Sequence, residues 1–141
     1  GDEYSACAPL YVISQGKVSA PNLLNVRLSL IGIPNMLAND HASSSYIPGI
    51  YENLKTLINA ILGATLSCYS HCTAYTVTWG NEDQLVSTYI PKQSVRIYEN
   101  TTRLEVVQRL LQYTSCMMRV EADEAIHIFV PKPSDYRRPV I

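Results

Sequence analysis

Thr102-Arg103-Leu104-Glu105-Val106-Val107-Gln108-Arg109-Leu110-Leu111-Gln112-Tyr113-Thr114-Ser115-Cys116 is the stretch that decides the fold. Thr102 with Glu105 three residues later is a capping box, in which the threonine oxygen satisfies a backbone N–H that a helix start leaves unpaired. Leu104, Val107, Leu110 and Leu111 recur at helical spacing behind it, so the stretch predicts a helix with one apolar stripe and Thr114 near its end. Residues 117–121 and 125–130 then predict two strands of a β-hairpin around Ala122-Asp123-Glu124. A helix with a single greasy stripe must bury it, and a hairpin supplies the sheet face that does so.

Upstream, the plan recurs. Asn53 is a candidate N-cap, and Leu54, Leu57, Ile58, Ile61 and Leu62 follow as an apolar stripe closed by Gly63. Residues 66–79, rich in β-branched and aromatic side chains, predict a strand. Gly80-Asn81-Glu82-Asp83 reads as the turn of a hairpin, with residues 85–90 as the returning strand up to Pro91. Residues 95–98 predict a short strand. Tyr51-Glu52-Asn53 recurs as Tyr98-Glu99-Asn100, and Ile58, Ile61, Leu62 and Thr65 match Val107, Leu110, Leu111 and Thr114 at an offset of 49. The two stretches read as a duplicated β-α-β-β unit.

The first third is β. Residues 8–14 predict a strand, Gln15-Gly16-Lys17 a turn, and Ala20-Pro21-Asn22 a second break. Leu24, Val26, Leu28 and Leu30 then alternate with Asn25, Arg27 and Ser29, which predicts a strand with one buried face. Residues 34–38 predict a helical turn, and residues 39–45 a polar loop. The organisation expected is an N-terminal β segment over 1–50, helix-hairpin units over 51–91 and 92–133, and a tail over 134–141, forming one compact domain. The fold class is α+β, mainly antiparallel sheet with two short amphipathic helices.

The composition narrows the function. Among 141 residues, 11 Lys+Arg oppose 12 Asp+Glu, a formal net charge of -1, which gives no electrostatic reason to expect nucleic acid. Charged residues are 16%, well under the usual quarter, as for a surface partly covered by something else. No run of eighteen apolar residues occurs, so membrane insertion through a helix is not expected, and residues 1–7 lack a signal-peptide pattern. Ten tyrosines suit half-exposed sheets and interfaces, since each carries apolar area and a hydroxyl.

The catalytic inventory is thin. Cys68, His71 and Cys72 are the one cluster of candidate metal ligands, because zinc takes thiolate and imidazole, but a fourth ligand would have to come from Cys7, Cys116, His41 or His127 through folding. A disulfide such as Cys68–Cys116 is the alternative in an oxidising compartment. No G-x-S-x-G, H-E-x-x-H or glycine-rich phosphate loop occurs, and Glu121, Asp123 and Glu124 read as solvation of a hairpin tip. No cofactor and no enzymatic activity are expected. A small-molecule site between the two units is the rival, and would need a deep pocket lined by tyrosines and convergent polar groups.

The helix of form L-x-x-L-L-x-Y-T at residues 104–114, followed by Arg119 to Asp123 and Ala125 to Ile128 about an acidic turn, resembles hub and tail-associated proteins of contractile and long-tailed phages and related injection machines. The run from Leu24 to Gly32 into residues 34–38 resembles the first domain of those hubs. The resemblance implies a structural component of a tail tip, placed in a virion or phage-like particle, whose sheets join neighbouring subunits in a ring. The helix-hairpin pattern is also similar to the N-terminal docking domains of secretins and TonB-dependent receptors, which implies a periplasmic module instead. Glu124 stands where both families have glycine. Either way the partners expected are proteins, including further copies of the chain.

Overall fold

The computed structural model describes residues 7–48, 51–69, 73–81, 83–91 and 95–133. The order of elements is β1 (Leu10–Ala20), β2 (Leu23–Gly32), α1 (Ile33–Asn39), α2 (Leu54–Leu62), a 3-10 turn (Ser67–Tyr69), β3 (Val77–Trp79), α3 (Leu85–Thr88), α4 (Arg103–Leu111), β4 (Met117–Val120) and β5 (Ile126–Phe129). The class is α+β.

The capping box begins α4 as its spacing requires: the Glu105 N–H donates to Thr102 Oγ1 at 3.2 Å. The buried stripe differs from the one read from the sequence. Arg103, Val106, Val107, Leu110 and Leu111 face inward, whereas Leu104 is only half-buried. This set matches the α2 stripe Leu54, Leu57, Ile58, Ile61 and Leu62 position for position at the same offset of 49, with an arginine standing where α2 has leucine. Asn53 caps α2 through the Thr56 N–H at 2.9 Å. Gly63 does close α2, but in ordinary right-handed backbone. Its use is room, because a Cβ there would sit 2.8 Å from the Asn59 carbonyl oxygen. The left-handed residue is its neighbour Ala64, at φ 53°.

The second hairpin forms. Met117 pairs with Phe129 and Val120 with Ile126 in antiparallel register, so the Phe129 and Met117 ends of the two strands lie side by side. The first hairpin does not. Among the described residues of the strand expected over 66–79, only β3 is strand; Cys68 and Tyr69 are buried in the 3-10 turn and Leu66 just before it. Residues 85–90 turn into the helix α3 instead of returning as a strand, because Asp83 accepts the Leu85 N–H at 3.0 Å and starts a helical turn that buries Val86. β3 pairs along one edge, with a partner from the other unit. It runs parallel to β5, Val77 against Ile126 and Trp79 against Ile128, and Gly80 donates to Ile128 O at 2.9 Å. The sheet order is therefore β3-β5-β4, with the first unit lending its one strand to the hairpin of the second. Residues 95–98 supply a single bridge, Tyr46 with Ile97, rather than a strand.

At the other end of the chain, Gln15-Gly16-Lys17 is no turn. β1 runs through it, pairing those residues with Leu28, Arg27 and Val26. The reversal is left to Pro21-Asn22, where Asn22 adopts φ 64°. α1 follows β2 with no loop between them and buries Ile33 and Leu37. α1, α2, α4, Val86, Ile97, Ile126 and Ile128 share one hydrophobic cluster.

Candidate protein-docking arm

β1 and β2 pair only with each other, so among the described residues the two-stranded ribbon has an unpaired outer edge on each side. Strands of this length extend for roughly 33 Å. The register assigns its faces. Leu24, Val26, Leu28 and Leu30 lie on one face, opposite Ser19, Lys17, Gln15 and Val12, and Leu10 faces Gly32 at the base. The second face holds Asn25, Arg27 and Ser29 opposite Val18, Gly16 and Ser14. The ribbon is thus amphipathic as its alternation predicted, but the face expected to be buried is open. Leu24 is 65% exposed, Leu10 61%, Val12 57%, Val26 52%, Leu28 51% and Leu30 49%. Ile13, the extra residue at the irregularity between Val12 and Ser14, is 63% exposed. Lys17 and Arg27 are the only charges between residues 10 and 32.

Such a ribbon is unusual in physical terms. A lone two-stranded hairpin is marginal in water, and unpaired strand edges are ordinarily blunted by charge, proline or bulges. Here one irregularity near the base and two cations are the only such devices. Contiguous exposed apolar faces of this kind are uncommon on folded monomers.

Among the described residues, the groups singled out for chemistry are dispersed. Cys68 is fully buried in the 3-10 turn, and burial pushes its thiol up from the usual range. His71 and Cys72 lie outside the described residues. Cys68 and Cys116 are separate free thiols rather than a disulfide, as is the exposed Cys7. Among the described residues no group of three His, Cys, Asp or Glu side chains could hold a metal ion. His41 Nδ1 is 2.9 Å from Asn100 O. His127 lies in β5 with Nε2 at 2.9 Å from Asp123 and 3.7 Å from Glu121, while Arg119 pairs with Glu121. Asp123 is held below the usual carboxylate range, first by the Ala125 N–H and then by His127. Its carboxylate ties the hairpin tip, where Glu124 takes φ 63° at the position where the resembled families have glycine.

Sequence reasoning missed the most unusual polar group. Arg103 is 0% exposed and is, by volume, the largest fully buried side chain. Its Nε lies 2.9 Å from Asp40 Oδ2, in a charge contact without good hydrogen-bond direction. Nη1 donates to Thr73 O at 3.0 Å and Nη2 to Tyr69 O at 3.5 Å, and the Tyr69 and Tyr75 rings lie 5.6 and 5.9 Å from the guanidinium carbon. The offset of 49 pointed at it, since Leu54 is its counterpart, but an arginine does not register in an apolar pattern. The pair joins α1 to α4 and so fixes the base of the arm.

The tyrosines divide. Tyr69 is buried, Tyr89 stacks on Tyr113 at 5.3 Å, and Tyr51 and Tyr98 are exposed. Open grooves line the described surface, one of about 420 Å³ beside Arg119, Val120, Glu121 and Ala122. One of about 450 Å³ runs between α4 and β4, past Leu111, Cys116, Met117 and Met118. One of about 330 Å³ at the base of the arm meets Ile13, Met36, Asp40 and Tyr75. Among the described residues no helix is long and apolar enough to cross a membrane.

No family model, no curated protein and no solved structure matches the chain.

Proposed function

We propose that the chain is a non-enzymatic assembly module that binds protein partners, further copies of itself included, through the β1–β2 arm, its free sheet edges and its exposed tyrosines. The observation that carries the reading is the arm's apolar face, four aliphatic side chains in a row on β2 and two beside them on β1, each about half exposed or more. The two open edges support it, because each is a template for an added strand. The low charge fits a surface that is partly covered. The resemblance to tail-hub proteins supplies the setting: a tail-tip component whose sheets join neighbours in a ring.

The test is sedimentation velocity of the purified chain across a wide concentration range, with negative-stain micrographs of the concentrated sample. Assemblies well above 15.7 kDa, with ring-shaped particles, are expected. A species that stays monomeric at the highest concentration, with no added protein bound, would sink the reading.

A further inference from the structure

We infer that two copies of this chain dock through their arms face to face, stacking the Leu24–Leu30 face of one on the same face of the other. The inference rests on the assembly reading and specifies its contact: layers of side chains rather than strand edges.

The pattern across the ribbon is that of an interface. The β2 row of the open face is continuously apolar: Leu24, Val26, Leu28, Leu30. The β1 row beside it is apolar only at the base, with Leu10 and Val12, and then runs Gln15, Lys17, Ser19 toward the tip. A continuous apolar row flanked on one side by polar residues gives the face both a greasy strip to bury and a wet margin, the two parts of which specific protein interfaces are made. Lys17 is long enough to lay its stem along the margin and keep its ammonium in water. The opposite face is more mixed: it exposes Val18 and Leu23, but between them and the base it runs Ser14, Gly16, Asn25, Arg27 and Ser29, with no continuous apolar row.

The area reaches the range of a small interface: six aliphatic residues at 49–65% exposure leave about 100 Å² each, so complete cover would bury about 600 Å² per copy and about 1,200 Å² per pair, the lower end of specific interfaces. A twofold axis through the stacked ribbons makes the patch its own complement, so no second surface has to be found elsewhere on the molecule. Pairing along the edges alone would leave all six side chains in water. Stacking covers them and leaves the outer edges free for further neighbours, as in the packing of two sheets about 10 Å apart.

The experiment uses the full chain and three variants: Leu28→Lys and Leu24→Lys on the open face, and Asn25→Lys on the other. All three sites are exposed strand positions of the arm, and circular dichroism checks that the body remains folded. Sedimentation is expected to show a dimer, or larger assemblies made of dimers, for the wild type and for Asn25→Lys. Each leucine variant should weaken association by about 100-fold or more, since a buried lysine has no partner there. Wild-type mass in both leucine variants would overturn the stacked contact while leaving the assembly reading intact. A monomeric wild type that floats with phosphatidylserine vesicles would show that the face meets lipid, and would overturn the inference. A monomer that binds neither vesicles nor protein would remove both readings.

Discussion

Arg103 concentrates the stability argument in one side chain. A buried guanidinium is tolerable only while its partners hold, so the asymmetry between removing one partner and removing both is the test. Asp40→Ala leaves the charge uncompensated and is expected to cost about 3–5 kcal/mol in urea unfolding. The double variant Asp40→Ala, Arg103→Met should recover most of that loss, because it restores an apolar residue where α2 carries Leu54. A double variant no more stable than the single one would refute this account. Burial acts on neutral groups here too. Tyr69, which donates its hydroxyl to Thr101 O at 3.2 Å, has its phenol pushed well above the ordinary value of about 10, mainly by desolvation, and the Cys68 thiol beside it is raised for the same reason. Both protons bind more tightly in the folded chain than in the unfolded one. The stability they contribute is therefore complete below the unfolded values and declines as pH rises through them, thiol first and phenol next. Unfolding free energy should fall on going from pH 8 to 11, and Tyr69→Phe should flatten the upper part of that slope. An unchanged slope would exclude Tyr69 as its source.

At the scale of elements, two turns carry strain that substitution can remove. Ala64 and Glu124 both sit in left-handed backbone, which costs an L-residue roughly 1–2 kcal/mol and glycine little. Ala64→Gly and Glu124→Gly are each expected to stabilise by about 0.5–1 kcal/mol, raising the melting midpoint by about 2–4 °C. Calorimetry showing a lower midpoint for both would refute the strain argument. The helices were the most legible elements, because Asn53 and Thr102 mark their starts and the apolar spacing behind each needs no tertiary information. The hairpin of residues 117–130 was legible for the same local reason. The first hairpin was misread because a run such as Tyr75–Trp79 records β propensity without naming the partner. β3 finds its partner in β5, some fifty residues away, and that pairing leaves residues 85–90 to follow the local Asp83 turn into α3.

For the molecule as a whole, the body and the arm obey different rules. The body buries both helical stripes in one cluster. The arm leaves its apolar face open. Alternation from Leu24 to Leu30 announced a two-sided strand, and that much was readable. Which molecule lies on the apolar side was not, because period two reports amphipathicity and says nothing of whether the cover comes from the same chain. Of the candidate ligands Cys68, His71 and Cys72, folding buries Cys68, and the other two lie outside the described residues. If the arm is completed by association, thermal stability depends on concentration through mass action. A hundredfold rise in protein concentration should raise the wild-type melting midpoint by several degrees and leave that of Leu28→Lys where it was. A wild-type midpoint independent of concentration would contradict this.

The direct passage from Gly32 into Ile33 has a mechanical consequence. With no loop between ribbon and helix, the arm has no hinge on its β2 side, and Pro34 stiffens the first turn beyond the junction. A pull at Pro21 travels along β2, through α1, and arrives at Asp40, where the guanidinium receives it inside the body. The arm is mounted like a spar set into a mast rather than a rope tied to one, so whatever grips its far end also sets the bearing of the whole subunit.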